Sequence, residues 1–376
     1  MRTLRTSFIV VLLGVALSPL GCRWSSEESE PPNSTLSAPL SIEEAEGFAR
    51  TLETRLKQGD GVFFIRAMDW SSLTDRVLEG LEGTPEAKQF SRADLLRSFS
   101  GERGFAQTIA LKVRNGGAYS FLRAKKNAND EISLTFRLVE QDGGLDYHDL
   151  YVRRMPDGGV GVYEIHLYHF GENFSETLRR ALVPERYVGG VTSYGTMMSD
   201  AVQILFRERS QDVQRCFSAF EEGRYQDALN IYDQLPPELR VLKPLVIIRL
   251  QAAQKHPDEG VYRFVLAEAR EQMRDDVCAD FLSLDYFFNH KMYENALDCV
   301  DRIDAYVGGD IYLNFFRCYA LVHLAQCDRA KQLFLETITK DPSLKEDPTF
   351  RGLGKILEKS TNSKAIDPFE EYVPET

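Results

Sequence analysis

The spacing of apolar residues changes twice along the chain, from a helical period to alternation and back to a helical period. Residues 41–60 open with Ser41 and carry Glu44 three positions later, which is the capping box that begins many helices. Apolar residues then recur at three- and four-residue spacing on one face: Ala45, Phe48, Ala49, Leu52 and Leu56. This spacing predicts an amphipathic helix.

Two further helices are predicted before residue 104. One begins at Asp69 or Ser71, either of which can cap it, and it buries a stripe formed by Leu73, Val77, Leu78 and Leu81. The other runs from Pro85, a residue suited to the first helical turn, to about Phe99.

After Gly104 the apolar pattern becomes alternation. Ile132, Leu134, Phe136 and Leu138 alternate with polar residues, which predicts a half-buried antiparallel strand. Turn signals follow at regular intervals, namely 115–117, 127–130, 142–144 and 157–159. Together these signals predict about five strands of about ten residues joined by tight hairpins.

The C-terminal half contains a segment that recurs with a period of 34 residues. Similar segments surround Ala228, Ala296 and Ala330, which are separated by 68 and 34 residues. A small residue at a fixed place lets two helices approach closely, since packed helices lie about 8–10 Å apart. Repeats of this length are helix–turn–helix units that stack into a solenoid.

Other positions repeat around these alanines. Tyr225 and Tyr293 precede them by three residues, Tyr232, Val300 and Phe334 follow by four, and Pro342 follows Ala330 by twelve. Gly223, Lys291 and Ala325 occupy the expected inter-helix turns. Over residues 199–345 this pattern resembles the tetratricopeptide repeat, which implies a concave surface that binds a partner protein or peptide. The alternative is an irregular helical bundle with accidental periodicity.

One unit departs from the repeat. Tyr262 stands 34 residues after Ala228, where a small residue is expected, so residues 242–273 are predicted to form a helix pair of altered register.

A terminal helix is expected from Thr349 to Lys359. The cysteines of this half are predicted to be buried, and Cys216 and Cys318 occupy equivalent first-helix positions.

Residues 1–21 are typical of an export signal, with Arg2 and Arg5 ahead of an apolar run that ends before SPLGC. Cys22 resembles the acylated cysteine of bacterial lipoproteins, although Pro19 stands where that motif favours leucine. The resemblance implies a lipid anchor in the bacterial cell envelope; simple secretion and an uncleaved signal are the alternatives. Residues 22–40 are predicted to be a disordered tether, and residues 360–376 a disordered tail.

The length of 376 residues allows two folded domains, predicted at residues 41–184 and 185–359.

The formal net charge of −12 argues against nucleic acid as a partner, because phosphate binding needs a basic surface. No cofactor is predicted. The fold class expected from the pattern is α+β in two domains, with helices and a curved antiparallel sheet before an all-helical repeat.

In the first domain, helices followed by antiparallel strands resemble the cystatin-like cone of the nuclear transport factor 2-like superfamily. Another arrangement of helices on a sheet is the alternative. Cones of this type often enclose a pocket, and some members of the superfamily are enzymes.

Polar residues on the predicted strands are the candidate pocket residues. Asp146 and His148 share one strand face, and Glu164, His166 and Tyr168 share another. If these faces met inside a cone, imidazoles and carboxylates could transfer protons or bind a ligand. Asp69 and Trp70 are candidates for a pocket lip, or else a helix cap beside a core tryptophan.

No catalytic motif and no metal-binding motif accompany these residues. The sequence therefore favours a membrane-tethered, non-enzymatic protein-interaction scaffold. One alternative is a ligand-binding or enzymatic cone whose repeat serves oligomerisation. Another is a purely structural lipoprotein that organises an envelope complex.

Overall fold

The computed structural model describes residues 39–79, 92, 105–141, 143–179, 200–274 and 276–360. In this part of the chain an antiparallel sheet with helices is followed by helices alone. The chain divides into two compact units between Gln272 and Met273, so the sheet and the helices up to Gln272 belong to one unit. The predicted boundary near residue 184 does not coincide with this division.

Four helices are described before the sheet: α1 (Ile42–Lys57), α2 (Gly61–Ala67), α3 (Trp70–Leu78) and α4 (Phe105–Arg114). The predicted capping box of α1 is confirmed, because the Ser41 hydroxyl accepts from the Glu44 amide and the Glu44 carboxylate accepts from the Ser41 amide. Apart from Arg92, the helix predicted from Pro85 to Phe99 lies outside the described residues.

Helix α4 corrects the expectation of alternation directly after Gly104. Phe105, Ala106 and Ile109 are its buried residues, and their spacing places them on one helical face. The alternating pattern begins only with the first strand.

The sheet has five antiparallel strands in chain order: β1 (Ala118–Lys126), β2 (Ile132–Val139), β3 (Leu145–Arg154), β4 (Val160–Leu167) and β5 (Glu172–Asn173). The antiparallel meander is confirmed, but β5 has two residues instead of about ten. It is short because the chain becomes helical again at Phe174.

One face of the sheet, called the inner face, packs against helices α1, α2 and α4. Ile132, Leu134, Phe136 and Leu138 of β2 point to this face and are at most 3 % exposed. Aromatic rings fill the space between the layers: the Tyr119 and Phe136 rings stack at 4.6 Å, and Phe64 lies 6.3 Å from Tyr119. The inner face is therefore the core of the sheet region.

The opposite face, called the outer face, is more buried than the sequence predicts. Ser133 and Thr135 of β2 are 9 % and 0 % exposed, so this strand is covered on both sides. The prediction of a half-buried strand is wrong, since alternation records which side chains are apolar and not how much of the polar face the rest of the fold covers.

The helices described from Asp200 onward have 4 to 15 residues. In the first unit they are α5 (Asp200–Glu208), α6 (Ser210–Glu221), α7 (Tyr225–Gln234), α8 (Pro237–Arg240), α9 (Lys243–Gln254) and α10 (Glu259–Gln272). In the second unit they are α11 (Cys278–Asn289), α12 (Tyr293–Val307), α13 (Asn314–His323), α14 (Cys327–Lys340) and α15 (Pro348–Lys359). Helix α15 confirms the predicted terminal helix, and Asp347 caps it.

An exposed ion pair joins α1 to the end of β3, and it generates a prediction about acid stability. Arg154 Nη2 lies 2.6 Å from the Glu44 carboxylate, and its hydrogen bonds, with those of Ser41, lower the pKa of Glu44 from 4.5 to about 2. A carboxylate whose pKa is lower in the folded state stabilises the fold above its unfolded pKa and loses this contribution as the pH falls. We expect Glu44→Gln to be less stable than the wild type at pH 6, and the difference to shrink between pH 4.5 and about 2.

Urea unfolding at a series of pH values measures this difference. Glu43→Gln removes an exposed carboxylate of the same helix and serves as the matched control for the loss of a charge. A Glu44→Gln difference that does not change with pH would contradict the role given to the pair.

Candidate functional site

The three repeat alanines are buried in the second helices of three helix pairs. Ala228 lies on α7, Ala296 on α12 and Ala330 on α14, and none is more than 1 % exposed. Each of these helices packs against the helix before it in the chain. A larger side chain at these positions would force the two helices of a pair apart.

The turn inside each of these pairs adopts the same unusual backbone conformation. Gly223, Lys291 and Ala325, five residues before each alanine, have φ values of 76°, 59° and 57°. This left-handed region favours glycine, yet two of the three residues carry a side chain. The same backbone reversal therefore recurs where the sequence supplies glycine only once.

A thiol contact also recurs. Cys216 Sγ lies 3.4 Å from the carbonyl oxygen of Ala228, and Cys318 Sγ lies 3.4 Å from that of Ala330. Burial raises the pKa of both thiols to about 12. All five cysteines of the described residues are buried and none forms a disulfide: Cys216, Cys278, Cys299, Cys318 and Cys327.

The remaining repeat positions differ in how deeply they are buried. Tyr232, Tyr293 and Val300 are buried, at 1 %, 7 % and 0 % exposure. Tyr225 and Phe334 are only partly buried. Pro342 begins a 3-10 turn two residues after the end of α14.

The helix pair predicted over residues 242–273 is formed by α9 and α10. Four residues, 255–258, separate its helices, whereas three separate the helices of the other pairs, at 222–224, 290–292 and 324–326. Tyr262 of α10 is 9 % exposed. Tyr262 is nevertheless the fourth residue of its helix, as Ala228, Ala296 and Ala330 are of theirs, so the second helix keeps the register of the repeat and the expected shift of register is not found there.

Exposed apolar side chains of these pairs lie on the second helices. Phe264 of α10 and Leu335 of α14 are both 59 % exposed, and Tyr306 of α12 is 41 % exposed. In the first helices, by contrast, every side chain from Cys278 to Phe288 of α11 is buried. Within the paired helices, the exposed large apolar side chains are therefore on second helices, while Met292 (38 % exposed) lies in the turn before α12 and Val241 (59 % exposed) lies between α8 and α9.

In the sheet region, Asp146 and His148 lie on the inner face. His148 Nε2 is 3.3 Å from Asp146 Oδ2, and the Phe105 ring packs edge-on to His148 at 5.0 Å. Burial disfavours a charged carboxylate, but the neighbouring imidazoles of His148 and His169 hold the pKa of Asp146 below its usual value. This pair is a close polar contact inside an aromatic core.

His166 and Tyr168 lie on the outer face. Across the strands Thr135, Asp149 and His166 stand in one row, because Thr135 pairs with Asp149 and Asp149 pairs with His166. The Tyr168 hydroxyl donates to Asp149 Oδ2 at 3.0 Å, and His166 Nδ1 is 3.3 Å from Asn173 Oδ1. Burial lowers the pKa of His166.

The structure does not bring His148 and His166 together. His166 pairs with Asp149, whose side chain points to the opposite face from its neighbour His148. The condition for joint chemistry of the two sets, that their faces meet, is therefore not fulfilled. Glu164, on the outer face, accepts from the amides of Ile165 and Ser175 and fixes the start of the next helical turn; burial raises its pKa.

Asp69 and Trp70 have structural contacts. Asp69 Oδ1 accepts from the Ser72 amide and caps α3, while Oδ2 forms an ion pair with Arg153. Trp70 Nε1 donates to the carbonyl oxygen of Ile65 at 3.1 Å. The cap interpretation of this pair fits these contacts.

Two features relevant to function are absent from the part of the chain that the structure describes. Within it, no three His, Cys, Asp or Glu side chains are grouped so that they could hold a metal ion. Among the same residues, no helix combines the length and apolar character required to cross a bilayer. Several predicted segments lie outside the described residues: the predicted export signal (1–21), Cys22, most of the predicted tether and the residues after Ser360.

Because Ala325 has a left-handed backbone, Ala325→Gly should stabilise the protein by about 0.5–1 kcal/mol. A side chain in this conformation costs about 1–2 kcal/mol. Part of this gain is lost because glycine increases the conformational entropy of the unfolded chain. Thermal or urea unfolding measures the change.

The matched control makes the same substitution in a helix. Ala267 is exposed within α10, and Ala267→Gly should lower the free energy of unfolding by about 1 kcal/mol. Destabilisation by both substitutions would show that the turn at residue 325 is not left-handed.

Comparison of the chain with protein-family models, with curated proteins and with solved structures found no match.

Proposed function

We propose that this protein is a non-enzymatic interaction scaffold whose helical half is a tetratricopeptide-like repeat that binds a partner protein or peptide. Lipid on Cys22 holds it at a membrane of the bacterial cell envelope, with residues 23–40 as a spacer. Stacked repeats present an extended surface because each unit contacts only its neighbours.

The recurrence of one helix-pair geometry carries the proposal. Three pairs share a buried alanine and a left-handed turn residue five positions before it, and two share the thiol contact to the alanine carbonyl. An irregular bundle has no reason to repeat three such features in phase with the sequence.

The chemistry of the sheet region agrees with a non-enzymatic role. His148 and His166 lie on opposite faces of the sheet, and one oxygen of each neighbouring carboxylate is in contact: Asp146 with His148, Asp149 with Tyr168 and Glu164 with Ser175. The acidic balance of the chain, −12 at neutral pH, favours a basic or polar partner over nucleic acid.

A second candidate function is the binding of a small polar ligand on the outer face of the sheet. Thr135 Oγ1 and Asp149 Oδ1 are buried and have no hydrogen-bond partner among the described residues. A ligand hydroxyl or an ordered water between them would satisfy both atoms. In this case the helical pairs would serve oligomerisation.

Partner binding is tested by affinity capture with the full chain from detergent-solubilised membranes at low salt. Ala296→Leu should lose the partner and destabilise the protein by about 1–3 kcal/mol, since an overpacked helix pair must separate. Ala305→Leu, at an exposed position of the same helix, is the control and should change stability by about 0.5 kcal/mol or less. A wild-type chain that retains no partner would refute the scaffold function.

The lipid anchor is tested by cell fractionation. Cys22→Ser should move the protein from the membrane fraction to the soluble fraction, because the acyl chains contribute about 0.8 kcal/mol for each buried methylene. Ser25→Ala, in the same tether, should leave it with the membranes. Retention of Cys22→Ser at the membrane would contradict the anchor.

A further inference from the structure

Helices α14 and α15 form an antiparallel pair at the end of the described chain. Lys331 Nζ of α14 donates to the carbonyl oxygen of Ser360, the residue after α15, at 2.9 Å. Farther along the pair, a Cβ atom at Gly354 of α15 would lie 3.3 Å from Cζ of Phe334 on α14. The two helices therefore run in opposite directions, because residue numbers rise along one helix while those of its contacts fall along the other.

One side of this pair carries an exposed leucine and an exposed lysine. Leu335 follows Phe334 and Lys355 follows Gly354, so each side chain projects about 100° around its helix from the line of contact. In an antiparallel pair these two rotations lead to the same side. Leu335 is 59 % exposed, and Lys355 is exposed as well.

Helix α13 packs on the opposite side of the pair. Ala330 of α14 and Leu357 of α15 are buried there together with Cys318 of α13. The side away from α13, which carries Leu335, Lys355 and, one turn before Lys355, Arg351, is called the Leu335 face.

Cations outnumber carboxylates on the Leu335 face. Residues three and four apart lie on the same side of a helix, so the charged residues of this face stand one or two turns from Leu335 or Lys355. The carboxylates are Asp328 and Glu358. The cations are Lys331, Arg351, Lys355 and Lys359. With four cations and two carboxylates the face has a net charge of +2, although the whole chain has a net charge of −12.

The chain continues from this face into residues 361–376, which lie outside the described residues. The carbonyl oxygen of Ser360 is bound by Lys331, which stands one turn before Leu335 on the same side of α14. The segment has one lysine and four carboxylates, which give it a net charge of −3: Lys364, Asp367, Glu370, Glu371 and Glu375. It also has four large apolar residues, namely Ile366, Phe369, Tyr372 and Val373. Its charge and its apolar side chains are therefore complementary to the Leu335 face.

We propose that residues 361–376 bind the Leu335 face of the same molecule. An apolar side chain of the segment covers Leu335, and carboxylates of the segment meet Arg351 and Lys355. Because the segment begins at this face, its effective concentration there is on the order of millimolar. An acidic partner or an anionic membrane has no such covalent advantage, so the chain's own segment is the favoured occupant.

This contact goes beyond the proposed scaffold function and does not depend on it. A partner that uses the α14 end of the helical pairs must displace the segment first. Its apparent affinity is then reduced by the fraction of molecules in which the face is covered. The segment therefore controls access to the last helix pair.

Thiol labelling tests whether position 335 is covered. The cysteines of the described residues are all buried, so Leu335→Cys in a full chain with Cys22→Ser supplies an exposed thiol and keeps a small apolar side chain there. Its rate of reaction with a maleimide is compared with that of the same chain ending at Ser360. The full chain should react about five-fold or more slowly, because the segment covers position 335 most of the time. Adding Arg351→Glu and Lys355→Glu to the full chain should reduce this difference to about two-fold or less.

Arg329→Cys in the same two chains provides the matched control. Arg329 is exposed on α14 and stands six residues before Leu335, so it projects about 120° away around the helix. Its labelling rate should agree within about two-fold between the full chain and the chain ending at Ser360. This agreement also shows that α14 keeps its surroundings when the segment is removed. A synthetic peptide of residues 361–376 at millimolar concentration should slow labelling at position 335, but not at position 329, in the chain ending at Ser360.

Equal labelling of Leu335→Cys in the two chains would overturn the proposal, and so would equal slowing at positions 335 and 329. Slowing that increases with protein concentration would assign the cover to a second copy of the chain instead. If phosphatidylglycerol vesicles slow the chain ending at Ser360 and the peptide does not, the face binds lipid and the proposal is refuted. Affinity capture of a partner is a separate measurement, so the scaffold function and this contact can each fail while the other stands.

Discussion

The close approach of two helices at a small side chain is the constraint on which the C-terminal half depends. Ala228, Ala296 and Ala330 are buried because the preceding helix lies directly against them. A tight pair needs a short reversal, and the left-handed residues five positions earlier supply it. The thiols of Cys216 and Cys318 reach the alanine carbonyls for the same reason, since only a small residue leaves the backbone accessible.

This constraint is also why so much of the helical half could be predicted from the sequence. A geometric need for one small residue per pair leaves a periodic mark, and the capping box of α1 is equally local. Features set by the whole fold left no such mark. Helix α4 was missed because its ten residues lie next to an alternating region, and β5 is short because the chain turns helical at Phe174.

The candidate site divides in the same way. Strand periodicity correctly grouped Asp146 with His148, but it could not say that His166 points to the other face, because this depends on the register of β3 with β4. The exposed aromatic residue Phe264 was not predicted, although Tyr262, Val265, Leu266 and Ala269 define the buried face of α10 and Phe264 lies off that face.

Because the first helices are largely buried, the exposed large apolar side chains of the paired helices lie on second helices. Helix α11 is covered along its length and α9 nearly so. Arg249 of α9 is itself mostly buried, and its guanidinium lies 4.8 Å from the Tyr232 ring on α7 and 6.0 Å from the Phe264 ring on α10. This contact exists only if α7, α9 and α10 pack together, so the packing that stabilises the fold also fixes which groups reach the surface.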